Sequence, residues 1–313
     1  MITFDKIKLI TKIEYVSNIN IDKFIIISKE GNILYYRYKQ DKPYNLLVMI
    51  NYEHNELVLE FTGKILLDKY PNLINQNNIK DCLSQINKLG LCYLDIDAII
   101  HNSEVVKCDV TKDVEFDCID RILKNIRPNI VNHNKWKDKP YRGKEGIVLG
   151  NIAKTPKYKK RLIIYDKGKE LNSADNKEFL LACTNSEEIL LYFKNKIRFE
   201  LNLNTMEQIR LLLNIPNNNL MSVLNSCGNP ILSVIDEALV YSDFQESPMT
   251  LRDYEHSLLL KECNYDLSAV EAKIRTLVSK NTCIKRVMQP YKEVYAQIQA
   301  SSCQRLNIRE LIA

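Results

Sequence analysis

The ten residues RLIIYDKGKE, at positions 161–170, are the stretch from which the fold of this chain can be worked out. The apolar run Leu162–Ile164 predicts a strand, whose side chains alternate between two faces. One face then carries, in order, Arg161, Ile163, Tyr165 and Lys167. A phenol is a weak nucleophile with a pKa of about 10, but a nearby cation favours its ionised form and can hold a phosphate. Tyr165 and Lys167 are therefore candidate catalytic residues, although a lone strand tyrosine more often serves packing.

Composition indicates an ordinary globular protein. The chain has 313 residues, 45% hydrophobic and 27% charged, which is enough for a sizeable core and predicts two domains. It contains no run of about 18 apolar residues and no signal-peptide core at its start, so we expect a cytoplasmic protein. Nine cysteines lie in apolar contexts without CxxC or zinc-site spacing, and we expect them to be reduced and buried.

Positive charge is concentrated between Lys135 and Arg161. This segment holds ten Lys and Arg residues against Asp138 and Glu145, whereas the net charge of the whole chain is only +5. Such a local excess suits phosphates, although a solvated loop has the same composition. Lys160 and Arg161, at the end of the segment, are candidate DNA contacts.

Each of four predicted strands has one apolar face and one polar face. They span residues 56–62, 105–110, 161–167 and 196–203. Their polar faces carry, in turn, Glu60, Asp109, Tyr165 with Lys167, and Glu200. Three further basic residues lie close to these carboxylates in sequence and are candidate DNA contacts: Lys64, Lys107 and Arg198. Additional strands are predicted at 24–28, 33–38, 46–51 and 146–151, and helices at 79–89 and 116–126.

This order of elements predicts an α+β fold, a mainly antiparallel sheet with helices on one face and the other face free. The strand pattern ends after Asn204, and helical spacing continues to the end of the chain. We therefore predict a catalytic domain at 1–205 and a helical domain at 206–313 that serves DNA binding or oligomerisation. Capping boxes at Thr250 and Ser268 predict two helix starts, which form either a helix-turn-helix or a packing and dimerisation surface.

Three carboxylates on one predicted face repel one another, and partial burial increases the cost: Glu60, Asp109 and Glu200. A divalent cation would relieve the repulsion, and oxygen-only ligands suit Mg²⁺ or Mn²⁺ better than zinc. Such an ion could polarise a scissile phosphate for attack by Tyr165, with Lys167 and Arg161 steadying it. The alternative is a surface network in which the carboxylates pair with three basic residues: Lys64, Lys107 and Arg198.

Taken in order, these motifs resemble those of the replication initiators of filamentous phages, the gene II/X family, and of related rolling-circle initiators of plasmids and of phages that infect gut bacteria. The matching segments are LVLE at 57–60, VKCDVT at 106–111, RLIIYDK at 161–167 with Glu170, IRFE at 197–200 and LLLNIP at 211–216. The resemblance covers roughly residues 50 to 240.

In that family the tyrosine at the position of Tyr165 is the nucleophile. The resemblance implies a metal-dependent, site-specific DNA endonuclease that nicks one origin strand, forms a 5′-phosphotyrosine and leaves a 3′-hydroxyl for rolling-circle replication, with strand joining at termination. The implied cofactor is Mg²⁺ or Mn²⁺. The implied partners are single-stranded or supercoiled origin DNA and the helicase and polymerase of a bacterial host cell, in its cytoplasm.

Two alternatives remain. The broader superfamily often binds its metal through a His-hydrophobic-His strand, whereas the four histidines here lie singly; this counts against a mobilisation relaxase. A non-catalytic origin- or RNA-binding protein could use the same sheet, but such proteins present aromatic residues at the sheet centre, and these strands present carboxylates.

No second tyrosine stands beside Tyr165 in the motif, so a resealing step would need Tyr165 again or Tyr158.

Overall fold

The computed structural model of the chain describes residues 2–30, 32–116, 119–126, 130, 135–142, 145–239, 250–263, 265–279, 282–303 and 308–312. The chain divides into two compact units. The first is Met1–Val240 with Ile308–Ala313, and the second is Tyr241–Asn307.

The bounds of the elements are as follows. The described strands are β1 Phe4–Lys12, β2 Val16–Ser17, β3 Ile25–Lys29, β4 Asn32–Gln40, β5 Leu46–Asn51, β6 Glu56–Thr62, β7 Tyr93–Leu94, β8 Glu104–Glu115, β9 Trp136–Tyr141, β10 Gly146–Asn151, β11 Arg161–Asp166 and β12 Lys196–Leu203. The described helices are α1 Ile79–Lys88, α2 Ile96–Asn102, α3 Ile119–Ile126, α4 Lys167–Leu171, α5 Lys177–Ala182, α6 Ser186–Phe193, α7 Met206–Leu213, α8 Leu220–Leu224, α9 Pro230–Ala238, α10 Leu251–Glu262, α11 Leu267–Leu277, α12 Ile284–Cys303 and α13 Ile308–Ile312. A 3₁₀ segment at Gly63–Asn72 bends at Leu67.

One large sheet organises the first unit. It has ten strands in the order β3-β4-β5-β6-β1-β8-β12-β11-β10-β9, and every neighbouring pair is antiparallel. β2 and β7 pair separately. The predicted α+β class with a large antiparallel sheet and a helical C-terminal region is confirmed.

The strand β1, which sequence analysis did not predict, lies in the middle of this sheet between β6 and β8. Ile7 and Leu9 are fully buried, as expected for a central strand. The pairing with β8 shifts register between Phe4 and Lys6, so Asp5 is an additional residue in the strand. A bulge of this kind breaks the two-residue alternation on which strand prediction depends.

The helices α7, α8 and α9 cover the apolar face of the sheet. All three contact β8, and α7 and α9 also contact β12. Ile209, Val234 and Ile235 are fully buried on these helices. Because these helices complete the core of the sheet, they belong to the first unit. The division therefore falls after residue 240 and not at the predicted boundary of 205.

The polar face is also covered around Arg198. The segment 63–73 and the stretch 167–193 that contains α4, α5 and α6 contribute a buried apolar cluster: Tyr70, Leu73, Leu171, Phe179, Cys183, Ile189 and Phe193. The guanidinium carbon of Arg198 lies 5.5 Å from the ring centroid of Tyr70 and 5.4 Å from that of Phe193. The polar face is thus not free along its whole length.

The second unit contains α10, α11 and α12. Their common core is built from Leu260, Val270, Ile274, Met288 and Val294. Thr250 and Asp253 form the predicted capping box of α10, whereas α11 is capped by Asp266 and not by Ser268. None of the described helices in either unit combines the length and apolar content that a bilayer crossing requires.

Candidate active site

Cross-strand register brings three of the predicted residues together. On the polar face, Asp109 of β8 is opposite Asn202 of β12. Glu200, two residues earlier on β12, is opposite Ile163 of β11, and Tyr165 is opposite Arg198. Since β8, β12 and β11 are adjacent strands, Asp109, Glu200 and Tyr165 form one neighbourhood, as the sequence indicated.

The hydroxyl of Tyr165 is buried and directed at a carboxylate. Its Oη donates a hydrogen bond to Oε2 of Glu200 at 3.2 Å, and the residue is 3% exposed. Burial, and then the negative charge of Glu200, raise the pKa of Tyr165 well above its usual value. The phenol therefore keeps its proton at neutral pH unless an adjacent base takes it.

Glu200 has the properties of such a base. Burial, followed by the charges of Asp5 and Asp109, raises its pKa to about 7. Burial also raises the pKa of Asp109. The amide Nδ2 of Asn202 joins the two carboxyl groups, at 2.8 Å from Asp109 Oδ1 and 3.1 Å from Glu200 Oε1. A carboxyl group with a pKa near neutrality can accept and return a proton during a reaction.

Arg198 is fully buried in an ion-paired network. Its Nε and Nη2 donate to the two carboxylate oxygens of Asp113, both at 2.7 Å. Its Nη1 donates to Oδ1 of Asp5 at 2.6 Å and to the hydroxyl oxygen of Tyr70 at 2.8 Å. A buried guanidinium requires such partners because its desolvation is costly. The predicted DNA contact by Arg198 is therefore wrong.

Lys167 is close to Tyr165, as predicted, but begins α4 instead of extending β11. It is 2% exposed, and its Nζ lies 5.9 Å from the ring centroid of Tyr165 and 2.5 Å from Oε2 of Glu170. Burial alone would raise the pKa of Glu170, but Lys167 and Lys64 hold it at about 2. Lys167 is thus paired with Glu170 within the protein, and its contact with Tyr165 is with the ring.

Lys64 is likewise turned inward. Its Nζ donates to Oδ1 of Asn176 at 2.5 Å, and burial, followed by the charge of Lys167, lowers its pKa. The structure thus places Lys64 within the layer over Arg198 and not on a DNA-binding surface.

Glu60 is neutralised by two lysines of β1. It forms ion pairs with Lys6 and with Lys8, the latter at 3.6 Å. Burial alone would raise its pKa, but Lys6 and Lys8 hold it below the usual value. For Glu60 the ion-pair alternative holds, with lysines of the unpredicted strand β1 as partners.

A three-carboxylate metal site is not formed as predicted. Within the residues that the structure describes, no group of three His, Cys, Asp or Glu residues is arranged to hold a metal ion. Asp109 and Glu200 still offer oxygen donors of the kind that a hard divalent cation prefers. Asn202 joins the two groups, and burial is the main cause of their raised pKa values. Glu60 does not fit, because two lysines already neutralise it.

The remaining predicted DNA contacts differ in environment. Arg161 is exposed and donates through Nη1 to Oδ1 of Asn202. Lys107 lies on the polar face opposite Lys8 and is half-buried. Lys160 forms an ion pair with Glu237. Arg161 and Lys107 therefore offer positive charge to solvent on the side of the sheet that carries Glu200.

A second tyrosine, missed by sequence analysis, lies against Tyr165. The ring of Tyr141, the last residue of β9, has its centroid 4.9 Å from that of Tyr165, with 37° between the ring planes. Burial raises the pKa of Tyr141 to about 12. The expectation that Tyr165 has no tyrosine beside it is therefore wrong. Only the pairing of β9 with β10, which the sequence did not predict, could have revealed the contact.

No protein-family model matches the chain, and no curated protein matches it either. The resemblance to rolling-circle initiators remains a prediction that rests on the motifs.

Proposed function

We propose that this protein initiates rolling-circle replication by nicking one DNA strand with Tyr165 as the nucleophile. The hydrogen bond from Tyr165 to Glu200 carries the proposal, because it joins a phenol to a base whose pKa is about 7. A nucleophile and a base within hydrogen-bonding reach are the basic requirement of covalent catalysis.

In the proposed reaction Glu200 takes the proton of Tyr165 while the phenol oxygen attacks the phosphorus. The bond between phosphorus and the 3′ oxygen breaks, and the proton passes from Glu200 to that oxygen. A 5′-phosphotyrosine and a free 3′-hydroxyl result. Arg161 and Lys107 would hold the DNA backbone. Asp109 is the donor that would hold Mg²⁺ or Mn²⁺, which would neutralise charge on the scissile phosphate. Glu200 is left to the proton transfer, because a carboxylate bound to a divalent cation would not keep a pKa near 7.

The burial of Tyr165 favours a second candidate, a nucleic-acid-binding protein that does not cleave. A hydroxyl in a residue 3% exposed must be uncovered before DNA can reach it. In the non-catalytic alternative, Tyr165 and Glu200 serve only to join β11 to β12, and Arg161 and Lys107 bind phosphates.

Covalent capture separates the two candidates. The full chain is incubated with single-stranded DNA of random sequence and Mn²⁺, denatured in detergent, and the attached strands are sequenced. We expect an adduct with the wild type and with the control Tyr93→Phe, whose tyrosine is 57% exposed in β7, and none with Tyr165→Phe. DNA binding without any adduct supports the second candidate. Neither binding nor adduct refutes both.

A metal titration tests the role of Asp109. We expect Asp109→Asn to require a higher Mn²⁺ concentration for half-maximal adduct formation, since it replaces the carboxylate that would hold the ion. Glu60→Gln is the matched control, because Lys6 and Lys8 already bind that carboxylate. Equal Mn²⁺ dependence in Asp109→Asn and the wild type would remove Asp109 from the site.

A further inference from the structure

Asn202 joins three groups of the candidate site. Its Nδ2 donates to Oδ1 of Asp109 at 2.8 Å and to Oε1 of Glu200 at 3.1 Å, and its Oδ1 accepts a hydrogen bond from Nη1 of Arg161. The residue is 7% exposed. A single buried amide thus binds two carboxyl groups and one guanidinium group.

Strand register explains the position of Asn202. β12 lies between β8 and β11, and Asn202 is opposite Asp109 of β8. On its other side, the antiparallel pairing of β11 with β12 places Arg161 beside Asn202. Residues that lie opposite one another share a face of the sheet. Arg161, Asn202 and Asp109 therefore form one row across three strands, and Glu200 lies on the same face two residues before Asn202.

The three bonds require the chemistry of a side-chain amide. Ionised carboxylates only accept hydrogen bonds, and a guanidinium only donates them. The residue between them therefore needs N–H groups at one end and an oxygen at the other. At this position an aspartate would offer the carboxylates no donor, and a lysine would offer Arg161 no acceptor. Asparagine satisfies both sides and adds no charge.

The amide also separates opposite charges. Arg161 is exposed and makes no ion pair within the described residues, although two acidic side chains are bound to the same amide. A guanidinium in direct contact with a carboxylate forms a stronger pair than it forms with a neutral amide. Without the amide, the long side chain of Arg161 could turn to Glu200 or Asp109. Glu60 illustrates the result, because lysines of β1 pair with it directly.

We propose that Asn202 is a positioning residue that holds Arg161 apart from Asp109 and Glu200. The inference rests on the proposed function. Arg161 then remains available to a DNA phosphate. Glu200 remains available to Tyr165 through Oε2, the oxygen that Asn202 does not bind. Asn202 acts through these neighbours and takes no part in making or breaking bonds.

The salt dependence of DNA binding provides the first test. A labelled oligothymidine is titrated into the full chain at several salt concentrations without a divalent cation. Each phosphate contact contributes about 0.7 to the slope of log affinity against log salt for single strands. We expect Asn202→Ala to lose one such contact, although asparagine is uncharged, because Arg161 turns to a carboxylate. Arg161→Gln should lose the same amount in the wild type and nothing further in Asn202→Ala.

The rate of covalent capture provides the second test, with Mn²⁺ and saturating amounts of the strand recovered from wild-type adducts. We expect Asn202→Ala to lower the rate by about 100-fold, a typical contribution of a general base. Adding Arg161→Gln should regain about tenfold, because no cation is left to occupy Glu200. A structural defect would not be repaired in this way. Asn51→Ala, which replaces a buried asparagine of β5, is the matched control and should leave both readouts unchanged.

If Asn202→Ala does not unfold cooperatively, Asn202→Ser replaces it, because the shorter hydroxyl keeps one donor and cannot span the three groups. We expect both readouts to change in the same direction. An unchanged salt slope, or a rate that the double variant does not regain, overturns the inference and leaves the proposed function intact. A wild type that binds the oligothymidine but forms no adduct overturns the proposed function, and loss of one phosphate contact then still supports the role of Asn202 in holding Arg161. A wild type that does not bind DNA overturns both.

Discussion

Replacing Glu200 with glutamine should remove most of the dependence of stability on pH between about 5 and 8. The folded pKa of Glu200 is about 7 and its ordinary value is 4.5. Between pH 4.5 and pH 7, Glu200 holds a proton in the folded protein that it releases in the unfolded chain. Its stabilising contribution is therefore fully present below pH 4.5 and is lost as the pH rises through 7. At about 1.4 kcal/mol for each pH unit, this interval corresponds to roughly 3 kcal/mol of unfolding free energy.

Glutamine is a suitable replacement because it can keep both contacts. Its amide oxygen can accept from Asn202, and its amide nitrogen can donate to the hydroxyl oxygen of Tyr165. The variant therefore removes the titrating proton and retains the shape and the hydrogen bonds. We expect the free energy of unfolding of Glu200→Gln to vary little from pH 5 to pH 8.

Urea unfolding followed by tryptophan fluorescence measures the effect. Trp136 is the single tryptophan of the chain and is 3% exposed in β9, so it reports on the unit that contains Glu200. Glu60→Gln is the matched control: its carboxylate has a lowered pKa, is charged in both states above pH 5, and should leave the slope unchanged. If Glu200→Gln loses as much stability as the wild type between pH 5 and pH 8, the reasoning about Glu200 is refuted.

Three further predictions concern the surrounding network. Glu170→Gln should lower the unfolding free energy at neutral pH by about 3–5 kcal/mol because it leaves buried Lys167 unpaired. Urea unfolding should also show a smaller loss of stability in the variant as the pH falls from 4.5 towards 2, since the folded pKa of Glu170 is about 2. Arg198→Leu should cost about 3–5 kcal/mol in the same assay, and adding Asp113→Leu should recover part of the loss, because the single variant leaves Asp113 without its cation. Gly146→Ala should cost about 1–3 kcal/mol and lower the melting temperature, since the added Cβ meets the backbone of β11; an unchanged melting temperature would contradict this.

Four strands were predicted to the residue. β6 and β12 begin and end where the alternation of apolar and polar side chains indicated, because two unlike faces impose a period of two, and β5 and β10 where short apolar runs indicated. β1 was missed because Asp5 interrupts that period. β9 was missed because it is an edge strand with lysines and Pro140, a composition that edges tolerate and that resembles a loop.

By itself the sequence determined which residues share a face within each strand, and so it placed Asp109, Glu200 and Tyr165 on one side of a sheet. Only the tertiary structure decided what each of them meets. Insertion of β1 gave Glu60 two lysines, the bulge placed Asp5 beside Arg198, and the pairing of β9 with β10 brought Tyr141 onto Tyr165. The physical reason is that side-chain alternation is a local property of a strand, whereas strand order, register and burial arise from contacts between segments far apart in the chain, and those contacts set the pKa values on which the chemistry depends.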